Sequence, residues 1–210
     1  MSTYQITKKL IVVGDRDIGK TSLLKVECSG EFPTYVPTVF ENYLDIIQLD
    51  SQNIGLQLVE TTGYEEYDRL RPLSYPGTDI VLICFSYDIP DSLENVKERW
   101  LPEIDHHCEN SIKILVGLKK DLQNNPEVIR ELKQTLQSPV TDREAQEVAD
   151  SIGAAEFYSC SAYLNEGVRE VFEGSVRLAL AKANGYKWNE PNTRKCIPCR
   201  EVFSNKKCKL

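Results

Sequence analysis

One stretch, Gly14-Asp15-Arg16-Asp17-Ile18-Gly19-Lys20-Thr21, constrains this chain more than any other. It follows the apolar run Leu10-Ile11-Val12-Val13 and leads into a helix-like segment from Lys20. A strand that turns through G-x-x-x-x-G-K-[ST] into a helix points a set of backbone N–H groups at one spot. The positive end of the helix dipole lies beside them. That arrangement cradles phosphates. Lys20 can reach the β- and γ-phosphates of a nucleotide, and the Thr21 hydroxyl can bind Mg²⁺. The candidate phosphate side of the site therefore runs from Gly14 through Thr21 to Ser22.

Around this loop the sequence alternates strand-like and helix-like segments. Strands are expected at 9–13, 43–49, 54–59, 80–85, 112–116 and 156–159, and helices at 20–28, 92–108, 127–135, 142–152 and 167–183. Strands separated by helices imply βαβ units and a mostly parallel sheet. The second and third strands, joined across Asp50-Ser51-Gln52-Asn53, should form an antiparallel hairpin. Asp91 is read as the residue preceding one helix, and Thr141 with Glu144 as a capping box opening another.

The chain has 210 residues, 41% of them hydrophobic, which suits one α/β domain with a full core. Residues 1–183 are assigned to that domain and 184–210 to a flexible tail. No apolar run reaches the ~18–20 residues of a membrane span, and the first residues carry no secretory h-region. Seven cysteines, an odd number without a regular framework, read as cytosolic thiols. A net charge of −7 argues against nucleic-acid partners. From Lys182 onward, however, eight basic residues face two acidic ones, marking an interaction tail on an acidic body.

Further polar motifs stand at successive strand ends. Thr38 lies in Tyr35-Val36-Pro37-Thr38-Val39-Phe40-Glu41-Asn42-Tyr43. Glu60-Thr61-Thr62-Gly63 follows the third strand, Lys119-Lys120-Asp121 the fifth and Ser161-Ala162 the sixth. In these segments the chain resembles the Ras superfamily and, within it, the Rho family of small GTPases. The resemblance spans residues 8–183. It is most specific in Glu31-Phe32-Pro33, in residues 35–43, in Glu66-Tyr67-Asp68-Arg69-Leu70-Arg71-Pro72-Leu73-Ser74-Tyr75-Pro76, and in Glu166-Gly167-Val168-Arg169-Glu170-Val171-Phe172-Glu173. The helical stretch 124–141 looks like the Rho-type insert. A three-layer P-loop NTPase fold is expected, with a six-stranded, mostly parallel sheet and the nucleotide across the carboxyl ends of the strands.

Each position then has a stated chemistry. Thr38 can bring its hydroxyl to Mg²⁺ and its N–H to the γ-phosphate, which couples loop order to the third phosphate. Gly63 can offer a second N–H. The Asp121 carboxylate accepts from guanine N1–H and the exocyclic amine, a pair adenine lacks. Lys119 packs its stem along the base, and the Ala162 N–H meets the guanine carbonyl. By resemblance, Phe32 contacts the other side of the base. The implied cofactors are GTP/GDP and Mg²⁺, the latter held by Thr21, Thr38 and Glu60. Partners would be effectors bound through 35–43 and 64–76, exchange factors and dissociation inhibitors, acting on actin organisation or cell polarity. The chain is expected to be a monomer.

Six positions depart from the usual family residues: Arg16 for Gly, Glu60 for Asp, Thr62 for Ala, Tyr64 for Gln, Leu118 for Asn or Thr, and Tyr163 for Lys or Leu. Tyr64 cannot present a carboxamide, with its separate acceptor oxygen for a water and donor N–H for a phosphate. Arg16 stands where a partner's arginine finger would approach. This pattern of losses resembles the Rnd branch of the Rho family, and slow hydrolysis is expected. The other reading is an ordinary cycling GTPase; an ATP-using P-loop enzyme is disfavoured by Asp121.

The tail lacks a C-a-a-X box, since Cys208 is third from the end. Its cations can attract anionic lipid, and Cys196, Cys199 and Cys208 are candidate acylation sites. A cytoplasmic protein, peripheral at the inner face of the plasma membrane, is expected. Cys196-Ile197-Pro198-Cys199 has zinc-ligand spacing but no second Cys/His pair at a suitable distance.

Overall fold

The computed structural model describes residues 6–34 and 40–185. Tyr35, Thr38 and the tail with Cys196, Cys199 and Cys208 lie outside them. In chain order the elements are β1 (Ile6–Gly14), α1 (Lys20–Ser29), β2 (Phe40–Leu49), β3 (Gln52–Thr61), β4 (Ile80–Ser86), α2 (Pro90–Asn95), α3 (Leu101–His107), β5 (Ile112–Leu118), α4 (Pro126–Gln134), α5 (Asp142–Ser151), β6 (Glu156–Ser159) and α6 (Val168–Ala183). The strands form one sheet in the order β2-β3-β1-β4-β5-β6. Among the described residues only the β2–β3 strand pair is antiparallel.

The unbroken apolar run of β1 has a direct cause. Leu10 and Val12 join the core against α1 and α6, and Ile11 and Val13 join the core against α2, α3 and α5. A strand covered on both faces has no polar side. β4 repeats the pattern, with Ile80, Leu82 and Cys84 on the first face and Val81, Ile83 and Phe85 on the second. The result is the expected three-layer α/β domain.

The hairpin is tighter than the expected four-residue connection. Asp50 and Ser51 alone make the turn, with φ of 47° and 68°. Two positive φ values in a two-residue loop match the right-handed twist of the strands. The Thr141 capping box forms as expected. Asp91 does not precede its helix. Pro90 opens α2 and Asp91 stands inside the first turn, because proline is well placed where an N–H would be unpaired anyway. The helix expected at 92–108 is continuous but not uniform. Val96–Trp100 is a π-helical turn between α2 and α3, and the Leu101 N–H bonds to the Val96 carbonyl, five residues back. Pro102, just after it, lacks an N–H and cannot sustain the normal ladder. The insert carries α4, which is capped by Asn125 and has no buried residue of its own.

Candidate functional site

The loops after the parallel strands converge at the carboxyl edge of the sheet. β1 ends in Gly14 at φ 145°, and a Cβ there would lie 2.5 Å from the Cys84 carbonyl oxygen. Only glycine lets the chain turn so close to β4. Ile18 is buried under the loop, while Arg16 and Asp17 are exposed on it. Gly19, at φ 104°, precedes α1. The Lys20 Nζ, nearly buried, donates to the Asp15 carbonyl at 2.5 Å. Burial lowers its pKa to about 8.

Residues 60–64 lie directly against this loop. A Cβ on Gly63 would stand 2.4 Å from the Arg16 nitrogen and 2.6 Å from the Gly14 oxygen. The two backbones touch, and glycine is the residue that permits it. The Thr21 hydroxyl donates to Glu60 Oε1. Glu60 is buried, its Oε2 has no hydrogen-bond partner among the described residues, and burial pushes its carboxyl up. An orphaned carboxylate oxygen beside a hydroxyl is an all-oxygen donor set of the kind Mg²⁺ takes. The residues present therefore fit the metal. The Thr61 hydroxyl donates to the Val12 carbonyl at 2.8 Å and so ties β3 to β1. The Thr62 hydroxyl accepts from the Tyr64 N–H at 3.3 Å. Arg16 and Tyr64 meet, with the guanidinium carbon 5.8 Å from the ring centroid.

On the other side of Gly19 lies a cavity of about 410 Å³. Gly19 and Ser22 form one wall, Leu118, Lys119 and Asp121 another, and Phe32, Ala162 and Tyr163 border it. Lys119 adopts φ 55°. Its stem passes within 3.8 Å of the place a Gly19 Cβ would occupy, and its Nζ donates to Asp88 at 3.0 Å. Asp121 accepts from the Ser161 hydroxyl at 2.5 Å. Lys120 turns away: its N–H bonds the Cys160 carbonyl, and its ammonium reaches Gln123 and Asp142. Leu118 is a buried apolar wall.

Sequence reasoning overlooked the groups that hold Asp15. Asn95 Nδ2 donates to Asp15 Oδ2 at 2.7 Å, and Trp100 Nε1 donates to Oδ1 at 2.8 Å. Positions five apart stand roughly 140° apart around an α-helix. The π turn brings both to the loop. The buried Trp100 ring also has Arg71 at 4.8 Å and Arg99 at 4.7 Å from its centroid. The fully buried Arg71 donates to the Thr62 carbonyl at 2.9 Å, the Tyr64 carbonyl at 3.2 Å, Glu103 at 2.8 Å and Asp68 at 2.6 Å. Residues 62–71 are thus joined through Trp100 to the loop at Asp15.

The Gly14–Thr21 loop, the Thr21–Glu60 oxygen pair and the cavity with Asp121 at one wall lie along one sheet edge. The Ras family profile matches residues 9–181. The chain is 51% identical over 199 residues to the GTP-binding protein RHO1 of Saccharomyces cerevisiae, covering 91% of this chain and 95% of that one. It is 52% identical over 181 residues to the GTP-binding protein rho5 of Schizosaccharomyces pombe, covering 86% and 90%. The chain belongs to the Ras family of small GTPases, in its Rho branch. No helix among the described residues is long and apolar enough to cross a membrane.

Proposed function

We propose that this chain is a GTP-binding signalling switch that hydrolyses its nucleotide slowly. The observation that carries this reading is the contact between Arg16 and Tyr64. Two side chains that depart from the family pattern lie together above the point where Gly63 meets the phosphate loop. A phenol there cannot orient a water as a carboxamide does, and the guanidinium occupies the approach for a partner's arginine.

In this reading the loop N–H groups from Asp15 to Thr21 and the Lys20 ammonium hold the phosphates. Asp121 recognises guanine, kept in place by the Ser161 hydroxyl. Lys119 packs its stem along the base, Phe32 contacts its other side, and the Ala162 N–H meets the guanine carbonyl. Thr21 and Glu60, with Thr38, hold Mg²⁺, which neutralises phosphate charge when bound. Residues 35–43 and 64–76 present themselves to effectors in the triphosphate state, and exchange factors and dissociation inhibitors act on the same face. The process served is actin organisation or cell polarity. The protein is a monomer without nucleic-acid partners, its domain 1–183 followed by the tail 184–210. That tail, acylated at Cys196, Cys199 or Cys208, places it at the inner face of the plasma membrane.

Two measurements on the purified protein test this. Chromatography of the co-purified nucleotide is expected to show GTP. Single-turnover hydrolysis at saturating Mg²⁺ is expected to be slower than that of RHO1 from Saccharomyces cerevisiae assayed alongside. GDP with equally fast turnover means an ordinary cycling GTPase, and ATP rejects the assignment of Asp121.

A further inference from the structure

Two aromatic rings face each other across the mouth of the 410 Å³ cavity. Phe32 and Tyr163 have centroids 5.5 Å apart and ring planes at 88°. Both are solvent-exposed, at 48% and 68%, yet they contact each other edge to face. Such a pair is favourable beyond its buried area because the positive edge of one ring meets the negative face of the other.

The two sides of the pair are built differently. Tyr163 stands in a short loop that is tied on itself. Ser161 and Glu166 exchange two backbone hydrogen bonds of 2.9 Å, and the Leu164 N–H bonds the Ser161 hydroxyl at 3.1 Å. That hydroxyl also holds Asp121. Gly167 closes the loop at φ 71°, where a Cβ would lie 2.5 Å from the Ser159 carbonyl oxygen. Phe32, by contrast, stands on the connection between α1 and β2, after the left-handed Gly30 that ends the helix. One ring is a fixed post, and the other is carried by the segment leading to residues 35–39.

We propose that Phe32 and Tyr163 form an aromatic gate over the base cavity. Tyr163 acts as a positioning residue that holds Phe32 closed and slows nucleotide release. The gate supplies by ring contact some of the retention that Leu118, an apolar side chain without donors, does not supply by hydrogen bonding. It rests on the guanine-nucleotide reading of this cavity.

The experiment is stopped-flow release of preloaded mant-GDP in Mg²⁺ buffer, chased with unlabelled GDP. Tyr163→Ala is expected to speed release about 2- to 12-fold, the range an aromatic pair accounts for. Tyr163→Phe keeps the ring and is expected to release like the wild type. Phe32→Ala is faster than the wild type, and the double variant is no faster than Phe32→Ala alone. Tyr163 is exposed, so its variants are expected to stay folded, with Tyr163→Ala melting within about 2–6 °C of the wild type. A wild-type rate in Tyr163→Ala, or a double variant whose rate is the product of the single effects, overturns the gate while leaving the nucleotide site standing. A wild type that retains no mant-GDP overturns both.

Discussion

Replacing Trp100 by phenylalanine is the sharpest test of how the phosphate loop is held. The ring fits the same space with some loss of volume, but the donor at Asp15 Oδ1 disappears. Hydrogen bonds to charged groups contribute about 1.5–3 kcal/mol each. Asp15 keeps its bond to Asn95, so the carboxylate is left half-satisfied and not stranded. The faces of the ring also lose some attraction for Arg71 and Arg99, because phenylalanine is the poorer cation–π partner. Stability alone cannot separate these terms from ring packing. The assay is therefore a double-mutant cycle with Asp15→Ala, read by guanidinium unfolding at constant m. In the Asp15→Ala background Trp100→Phe loses only packing and arginine contacts. The coupling is expected to be about 1.5–3 kcal/mol. Hydrogen exchange in residues 62–71 is expected to rise in Trp100→Phe before exchange in the sheet does, since Arg71 anchors that segment to the ring. A coupling below about 0.5 kcal/mol, or exchange raised equally everywhere, would refute the idea that Trp100 joins the loop to residues 62–71.

Arg16→Gly combined with Tyr64→Gln is expected to raise single-turnover GTP hydrolysis about tenfold or more; an unchanged rate would place the block elsewhere. Glu60→Gln removes the charge from the buried carboxyl and is expected to raise the Mg²⁺ concentration needed to slow mant-GDP release by about 10- to 100-fold. Glu27 gives a pH signature away from the site. Burial pushes its carboxyl up to about 7, against the pull of Arg169 at 2.9 Å, with Asp45 reinforcing the rise. The folded state therefore holds a proton that the unfolded state has released, between its ordinary value of 4.5 and about 7. The associated stability is fully present below pH 4.5 and is lost as pH rises through 7. Glu27→Gln should flatten that decline in guanidinium unfolding measured at pH 5 and pH 7, and an unchanged slope would reject the assignment.

Much of the architecture was readable because it rests on local rules. The double-sided burial of β1 and β4 writes itself as unbroken apolar runs. Gly14, Gly19 and Gly63 mark places where no side chain fits or where φ is positive. The Thr141 capping box needs only residues three apart. Such features write the alternation of strands and helices and the Gly14–Thr21 loop into the sequence; the Rho-family assignment rests on the motifs at the strand ends and on the matching relatives.

The contacts at long sequence distance were decided only in the folded chain. Nothing local says that Asn95 and Trp100, some 80 residues away from Asp15, should share its carboxylate. A π turn ahead of Pro102 alters the helical phase, and that changes which side chains share a face. The meeting of Arg16 with Tyr64, and of Phe32 with Tyr163, is of the same kind. Sequence determined the cradle because backbone conformation depends on neighbouring residues. Packing determined what leans on it, because side chains from separate loops find each other only after the sheet has brought those loops to one edge.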